Sequence, residues 1–238
     1  MFQQKAQAEE AESWISVSDL MAGLMVFFLF IAILYIQPLQ RIKINVEDIL
    51  SAWENGEQSV LAALQKEFEA DLEGWGAEID EELLSIRFDA PDVLFNQGSS
   101  DVSSSFKYVL DDFFPRYLSV LEPFTQEGII EEIRIEGHTS TEWRINVTEQ
   151  EAYFRNLKLS QDRTRAVLIY SLSIPKVAPY LEWARDLITA NGLSSSRLIT
   201  HSDGSENRQR SRRVEFRIKT RTEQRLKEIA TELGAADD

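Results

Sequence analysis

Ile129-Ile130-Glu131-Glu132-Ile133-Arg134-Ile135-Glu136-Gly137-His138-Thr139 is the stretch that decides the fold. Ile133 and Ile135 stand two apart with charged residues between and beside them, and a period of two puts alternate side chains on opposite faces of a strand. One face seeks a core and the other carries charge. The spacing predicts a central β-strand over Ile129–Glu136 that runs into a turn at Gly137-His138-Thr139.

Upstream, apolar residues recur at helical spacing from Val102 to Leu121 through Phe106, Val109, Leu110, Phe113, Phe114 and Tyr117. Before that helix come a turn at Asn96-Gln97-Gly98-Ser99 and two short alternating segments, Trp75–Ile79 and Leu84–Phe88, which read as strands. Downstream, Ser160–Leu172 reads as a helix capped by a serine, and Tyr180–Asn191 as another stopped by Gly192. Leu198–His201 and Arg213–Lys219 read as the last strands, and the tail from Thr222 as a polar helix or disordered chain. Strands and helices alternate in a βαβαβ order, which predicts an α+β sandwich with helices on one face of a mixed sheet.

The N-terminal part is of another kind. Ile15–Ile36 (ISVSDLMAGLMVFFLFIAILYI) is apolar over about 20 residues, the length that spans a bilayer core as a helix. We read residues 14–37 as one transmembrane helix after a short tail, 1–13. No small-residue cleavage site flanks the run, so the helix is expected to stay as an anchor. Asp19 lies within it, and a carboxylate there needs a proton, a partner or a water-filled path. Ala22 and Gly23 follow at i+3 and i+4, so small residues on that face let other helices approach closely. The same acid, near the start of the run, would also suit a residue that snorkels or caps the helix at the interface. After Gln37-Pro38, residues 38–75 read as a helical connector broken at Asn55-Gly56, with Ile49, Leu50, Trp53, Val60, Leu61, Leu64, Phe68 and Leu72 on one face. That face requires a partner, which is the following domain, a second copy or the membrane surface.

With 238 residues, 40 acidic and 25 basic side chains, and a formal net charge of -15, the chain is unsuited to nucleic acid as a whole. Arg208, Arg210, Arg212, Arg213, Arg217, Lys219 and Arg221 gather positive charge near its end. They read either as the solvated basic edge of a strand or as a docking surface for an anionic partner. The absence of cysteine removes disulfides, thiolate metal sites and thiol nucleophiles. No acid pair, metal-ligand cluster or activated nucleophile stands out, so no catalytic residue, metal or cofactor is expected. His138 reads as structural. Lys5 precedes the span whereas Arg41 and Lys43 follow it, and counting positive charges alone favours a cytoplasmic C-terminus.

Three separated motifs occur in order: Ile133-Arg134-Ile135-Glu136-Gly137-His138-Thr139, then Asn156-Leu157-Lys158-Leu159-Ser160-Gln161-Asp162-Arg163, then Arg212-Arg213-Val214-Glu215. Together they resemble the I-x-I-x-G-H-T, N-x-x-L-S-x-x-R and R-R-V-E pattern of OmpA-like peptidoglycan-binding domains, over residues 76–220, with 221–238 as a tail. The segment Trp14-Ile15-Ser16-Val17-Ser18-Asp19-Leu20-Met21-Ala22-Gly23-Leu24-Met25 is similar to the signature of the B subunits of ion-driven rotary stators, of which MotB is the familiar case. Its wording and its phenylalanine-rich continuation most resemble the ZorB subunits of Zorya anti-phage systems.

The resemblance implies a bacterial inner-membrane protein with one span, its N-terminus in the cytoplasm and its C-terminal domain in the periplasm, against the charge count. It implies a homodimer inside a ring of roughly five A-type (ZorA- or MotA-like) subunits, coupled indirectly to a cytoplasmic effector. Asp19 is then the ion-translocating group, with Ser16, Ser18, Ala22 and Gly23 along the ion pathway. The ion would be a proton or a sodium ion, and sodium would need oxygen ligands beyond the nearby Ser16 and Ser18. In the domain, the resemblance implies peptidoglycan binding by Thr139, Ser140, Asn156, Leu159 and Arg163, the arginine taking a carboxylate of a diaminopimelate stem. The family has an acid directly after G-H-T, whereas Ser140 stands there, and Glu142 or Glu149 is a candidate for the missing charge. An insert, Thr141–Arg155, precedes Asn156. Alternative readings are a flagellar-type stator subunit for motility, a passive wall tether, and for Arg163 a plain surface arginine beside Asp162.

Overall fold

A computed structural model describes residues 20–34, 36, 56–89, 94–95, 99–143 and 147–221. The chain divides into two compact units, Met1–Ala52 and Trp53–Asp238. In the first, helix α1 runs over 20–34. Leu20, Met21, Leu24, Met25, Val26, Phe27, Phe28, Leu29, Phe30, Ile33 and Leu34 are exposed, and Ile31 is half-buried. Among the described residues no helix is long and apolar enough to cross a membrane. The span expected at 14–37 is described only in part.

The second unit contains helix α2 over 56–75, strands β1 (Ala77–Asp80) and β2 (Ser85–Phe88), and helix α3 (Ser104–Gln126). Strand β3 (Ile130–His138) and helix α4 (Glu149–Ser173) follow, then a 3-10 turn (Pro175–Tyr180) and helix α5 (Leu181–Leu187). The unit closes with strand β4 (Ile188–Gly192), the short helix α6 (Arg208–Ser211) and strand β5 (Arg213–Thr220). The five strands form one mixed sheet in the order β1-β2-β5-β3-β4. Only β3 and β4 are parallel, and β5 is inserted antiparallel between β2 and β3. The mixed sheet with helices expected from the sequence is the observed architecture.

Alternation explains which face is which. Ile86, Phe88, Ile133, Ile135, Val214, Phe216 and Ile218 occupy every second strand position and join one core cluster with the helices. Phe113 of α3 sits at the centre, its ring 5.0 Å from Phe216 and 5.1 Å from Phe88. Val60, Leu64 and Phe68 of α2 are fully buried in the same cluster. The apolar face of that helix therefore packs on the domain that follows it. Each such side chain contributes about 1.5–3 kcal/mol relative to exposure.

Local chemistry sets the helix ends. Ser103 Oγ accepts from Phe106 N at 3.0 Å to open α3, and Gly128, at φ +73, turns the chain out of it. Helix α4 starts at Glu149, where Thr148 Oγ1 accepts from Glu151 N, and not at Ser160 as the sequence reading had it. Ser160 lies inside the helix and its Oγ donates to Leu157 O. The helix expected over Tyr180–Asn191 ends at Leu187, and Ile188–Gly192 is instead the strand beside β3. The strand expected at Leu198–His201 is reduced to a single bridge, Thr200 with Glu206, because a tight turn with Gly204 at φ +83 follows at once. The turn expected at Asn96-Gln97-Gly98-Ser99 and the first part of the connector lie outside the described residues, except Ser99.

Candidate binding site at the end of the central strand

The C-terminal end of β3 is fastened to α4 through one residue the sequence gave no reason to single out. Ser194 is fully buried at φ +52, a conformation unusual for a non-glycine residue, and three hydrogen bonds fix it there. Its carbonyl accepts from Thr139 N at 2.9 Å, its N–H donates to Ser160 Oγ at 3.1 Å, and its Oγ donates to Tyr153 O at 2.9 Å. Beside it, Asn156 Nδ2 donates to Ser140 O at 3.1 Å. Thr139, Ser140 and Asn156 are thus brought together and buried. Leu159 is half-buried one turn further along α4.

Arg163 lies another turn on. Its guanidinium stacks 4.7 Å from the centroid of the Phe95 ring, and its Nε donates to Ser99 O at 3.1 Å. The neighbouring Asp162 pairs with Lys158 at 2.8 Å and Arg165 at 3.2 Å. A guanidinium held over an aromatic ring and by the Ser99 carbonyl keeps its orientation, which suits capture of a carboxylate. Phe95 and Ser99 carried no motif of their own. Of the candidates for the missing acid, Glu142 is exposed and lies 3.6 Å from Arg208, and Glu149 opens α4. The carboxylate that meets the loop is Glu206, which accepts from Thr141 N at 3.0 Å and from Thr141 Oγ1 at 2.6 Å.

The opposite face of the sheet carries ions. Arg213 Nε donates to Glu215 at 2.5 Å, Arg210 meets Glu78 at 2.5 Å, and Arg197 and Arg217 stand 3.6 and 4.0 Å from Glu136. Arg87 pairs with Glu78 and lies 3.5 Å from Asp89. The basic segment is therefore no strand edge: β5 is interior to the sheet, Arg210 meets Glu78 on β1 and Asp89 just after β2, Arg217 stands by Glu136 on β3, and Arg213 pairs with Glu215 on β5 itself. Glu136, His138 and Glu215 bring three potential ligand atoms within 4.8 Å of one another. The arginines around them already supply the countercharge, and a dication there would add to their field.

Burial, and then the charges of Arg213, Arg197, Arg217 and Arg87, push His138 down to about 3. The unfolded chain then binds a proton between about pH 3 and pH 6.5 that the folded chain excludes. Stability contributed by the neutral imidazole is complete above the upper limit and lost as pH falls, by up to roughly 1.4 kcal/mol per pH unit. Urea unfolding of the chain in detergent at pH 7 and pH 4.5 is expected to show this loss, and His138→Gln to lessen the slope. An unchanged slope in the variant would assign the acid sensitivity to other groups.

No family model matches this chain. It is 44% identical over 224 residues to the Zorya protein ZorB of Escherichia coli, an alignment that covers 94% of each chain. The chain belongs to the ZorB family. Among solved structures, it is similar to a MotB-like protein from Desulfovibrio vulgaris, with 23% identity, coverage of 73% of this chain and 94% of that chain, and a TM-score of 0.45. The cell wall anchor of the T6SS from Pseudomonas aeruginosa matches with 21% identity, 66% and 96% coverage, and a TM-score of 0.44. Of the ion-pathway candidates in this ZorB family member, Ser16, Ser18 and Asp19 lie outside the described residues. Ala22 and Gly23 lie on α1, where a Cβ built on Gly23 meets nothing within 4 Å. That is space for a neighbouring helix to approach.

Proposed function

We propose that this chain is the B subunit of an ion-driven rotary complex of the bacterial inner membrane that acts in anti-phage defence and is anchored to peptidoglycan. The observation that carries this reading is the 44% identity with a Zorya protein ZorB along nearly the whole of both chains. The role is mechanical and not enzymatic. The N-terminal helix spans the membrane once, with its short tail in the cytoplasm and the folded domain in the periplasm. Its exposed apolar side chains around the whole circumference support this, since a helix apolar all round needs lipid or other helices about it. Two copies sit inside a ring of A-type subunits.

Asp19 loads a proton on one side and releases it on the other, and the alternation of its charge turns the ring. Perturbation of the envelope by phage is sensed at the wall, and ion flux or rotation activates a cytoplasmic effector. No organic cofactor or bound metal is needed for this. Thr139, Ser140, Asn156, Leu159 and Arg163 form the wall-binding site, with Arg163 on a stem-peptide carboxylate.

The anchoring half is tested in cells that carry the complete native gene cluster. Arg163→Ala is expected to lower phage survival protection at least tenfold at unchanged membrane levels, and to lower retention of the detergent-solubilised chain on purified sacculi by a similar factor. Full protection together with full retention would refute the anchoring role.

A further inference from the structure

The two edges of the sheet are not alike. At the β1 edge stand the acids Glu78 and Asp80, with Arg87 and Arg210 about them, and the cleft beside that strand is lined by Glu69 and Glu73. Charge along an edge keeps further strands away. β4 carries no such guard. Its residues, Ile188-Thr189-Ala190-Asn191-Gly192, include no charge and no proline, and among the described residues the strand pairs with β3 alone. Its outer backbone donors and acceptors are free to take another strand.

There is room for one. A cleft of about 400 Å³ lies along this edge, between residues 190–193 and Gln161, Asp162 and Arg165 of α4. A Cβ on Gly192 would lie against Gln161, so Gly192 and, by alternation, Ala190 face the helix side. Both are small enough to let a neighbouring strand in. A sheet edge with a cleft beside it accepts an added strand, the backbone giving the hydrogen bonds and the cleft taking side chains.

The charges of α4 indicate which strand. The helix joins two parallel strands and so runs back along them. Gln161 lies at Gly192, and Arg165, about 6 Å further along the helix, comes beside Ala190. Arg165 is 70% exposed, and Asp162 keeps part of its surface open next to it. A twofold axis near Asn191 that pairs β4 with its own copy in antiparallel sense sets Asp162 of each chain across from Arg165 of the other. The flank is complementary to itself. The same operation at β1 would bring Glu78 and Asp80 against their own copies, which is unfavourable.

We propose that β4 is the contact through which the folded domains of two copies of this chain join, their sheets becoming one across a twofold axis. The proposal rests on the reading that two copies share one complex. Five residues a side fall short of the roughly 1,600 Å² of a stable interface, so the pairing needs both chains held together, at an effective concentration of order millimolar.

The chain has no cysteine, so single cysteines report this contact. Asn191→Cys and, on the opposite edge, Ala77→Cys are oxidised in membranes from cells carrying the complete native gene cluster. Directly opposed residues of an antiparallel pair have Cβ atoms about 5 Å apart, near the span of a disulfide, so Asn191→Cys is expected to give about fivefold more chain-to-chain disulfide than Ala77→Cys. Adding Arg165→Glu is expected to lower that yield about threefold, and Asp162→Arg on top of it to restore it, which a contact elsewhere does not predict. Equal yields at Asn191 and Ala77 while differently tagged copies still co-purify would overturn the β4 contact and leave the pair of copies standing. Loss with Arg165→Glu and no recovery in the charge-swapped chain would also overturn it. Copies that do not co-purify would overturn the two-copy reading beneath it as well.

Discussion

Gly192→Ala is expected to destabilise the domain strongly. A Cβ at this position would lie 2.3 Å from Gln161 N and 2.6 Å from Gln161 Cα. Those are backbone atoms in the middle of α4, with no rotamer to retreat to. The strand would have to leave β3 or the helix would have to lift off the sheet. Overpacking of this kind costs about 3 kcal/mol or more. For a domain of this size that lowers the melting temperature by about 10 °C.

Gly137 is the register partner of Gly192 on β3, and a Cβ there meets first the Thr164 methyl at 2.6 Å and then Ser160 O at 3.0 Å. A side chain can shift further than a backbone, so Gly137→Ala is expected to cost less. The pair of glycines is what lets α4 cross so close to the parallel strands, and that closeness puts Asn156 within reach of Ser140 O. Thermal unfolding of both variants by circular dichroism checks the ranking. A Gly192→Ala chain that melts within about 2 °C of wild type would show that α4 is not held against β4 as described.

The same residue marks the limit of reading this fold from sequence. Gly192 follows a stretch with mixed apolar and charged residues, and a glycine after such a stretch is an ordinary helix stop. Its actual role, admitting a helix backbone, depends on a contact with Gln161 that local sequence does not encode. The start of α4 was legible but passed over. Thr148-Glu149-Gln150-Glu151 has the spacing of a capping box, and it opens the helix inside what the resemblance treated as an insert. Strands β2, β3 and β5 were readable because their apolar residues alternate cleanly toward Phe113.

In the candidate site, motifs singled out Thr139, Asn156 and Arg163, which are fixed by local elements. Ser194, Phe95 and Glu206 arrive from distant segments, and nothing in their own neighbourhoods distinguishes them. The basic run near the end was misread because charge on a strand looks the same from sequence whether the strand is an edge or the middle of a sheet. Its partners Glu78, Asp89 and Glu136 are supplied by β1, the residue after β2, and β3.

The second large effect belongs to Asp19. An ionised carboxylate at the centre of a span costs about 3 kcal/mol on insertion scales and less near its end, where Asp19 lies, and protonation removes most of that cost. A group that must alternate between the two states couples ion transfer to the packing of its neighbours. Asparagine has nearly the same size and polarity but no proton to release. On the motor reading, Asp19→Asn is therefore expected to leave insertion and assembly unchanged and to abolish protection. A residue that only snorkels or caps at the interface would tolerate the same change, since asparagine caps helices as well as aspartate does. The substitution thus separates a motor subunit from a passive wall tether.

The most direct measurement compares phage survival in cells carrying the complete gene cluster with wild-type Asp19 or Asp19→Asn, at membrane levels shown to be equal. The motor reading predicts that protection falls to the level of cells without the cluster while the complex still assembles. Undiminished protection by Asp19→Asn would contradict it.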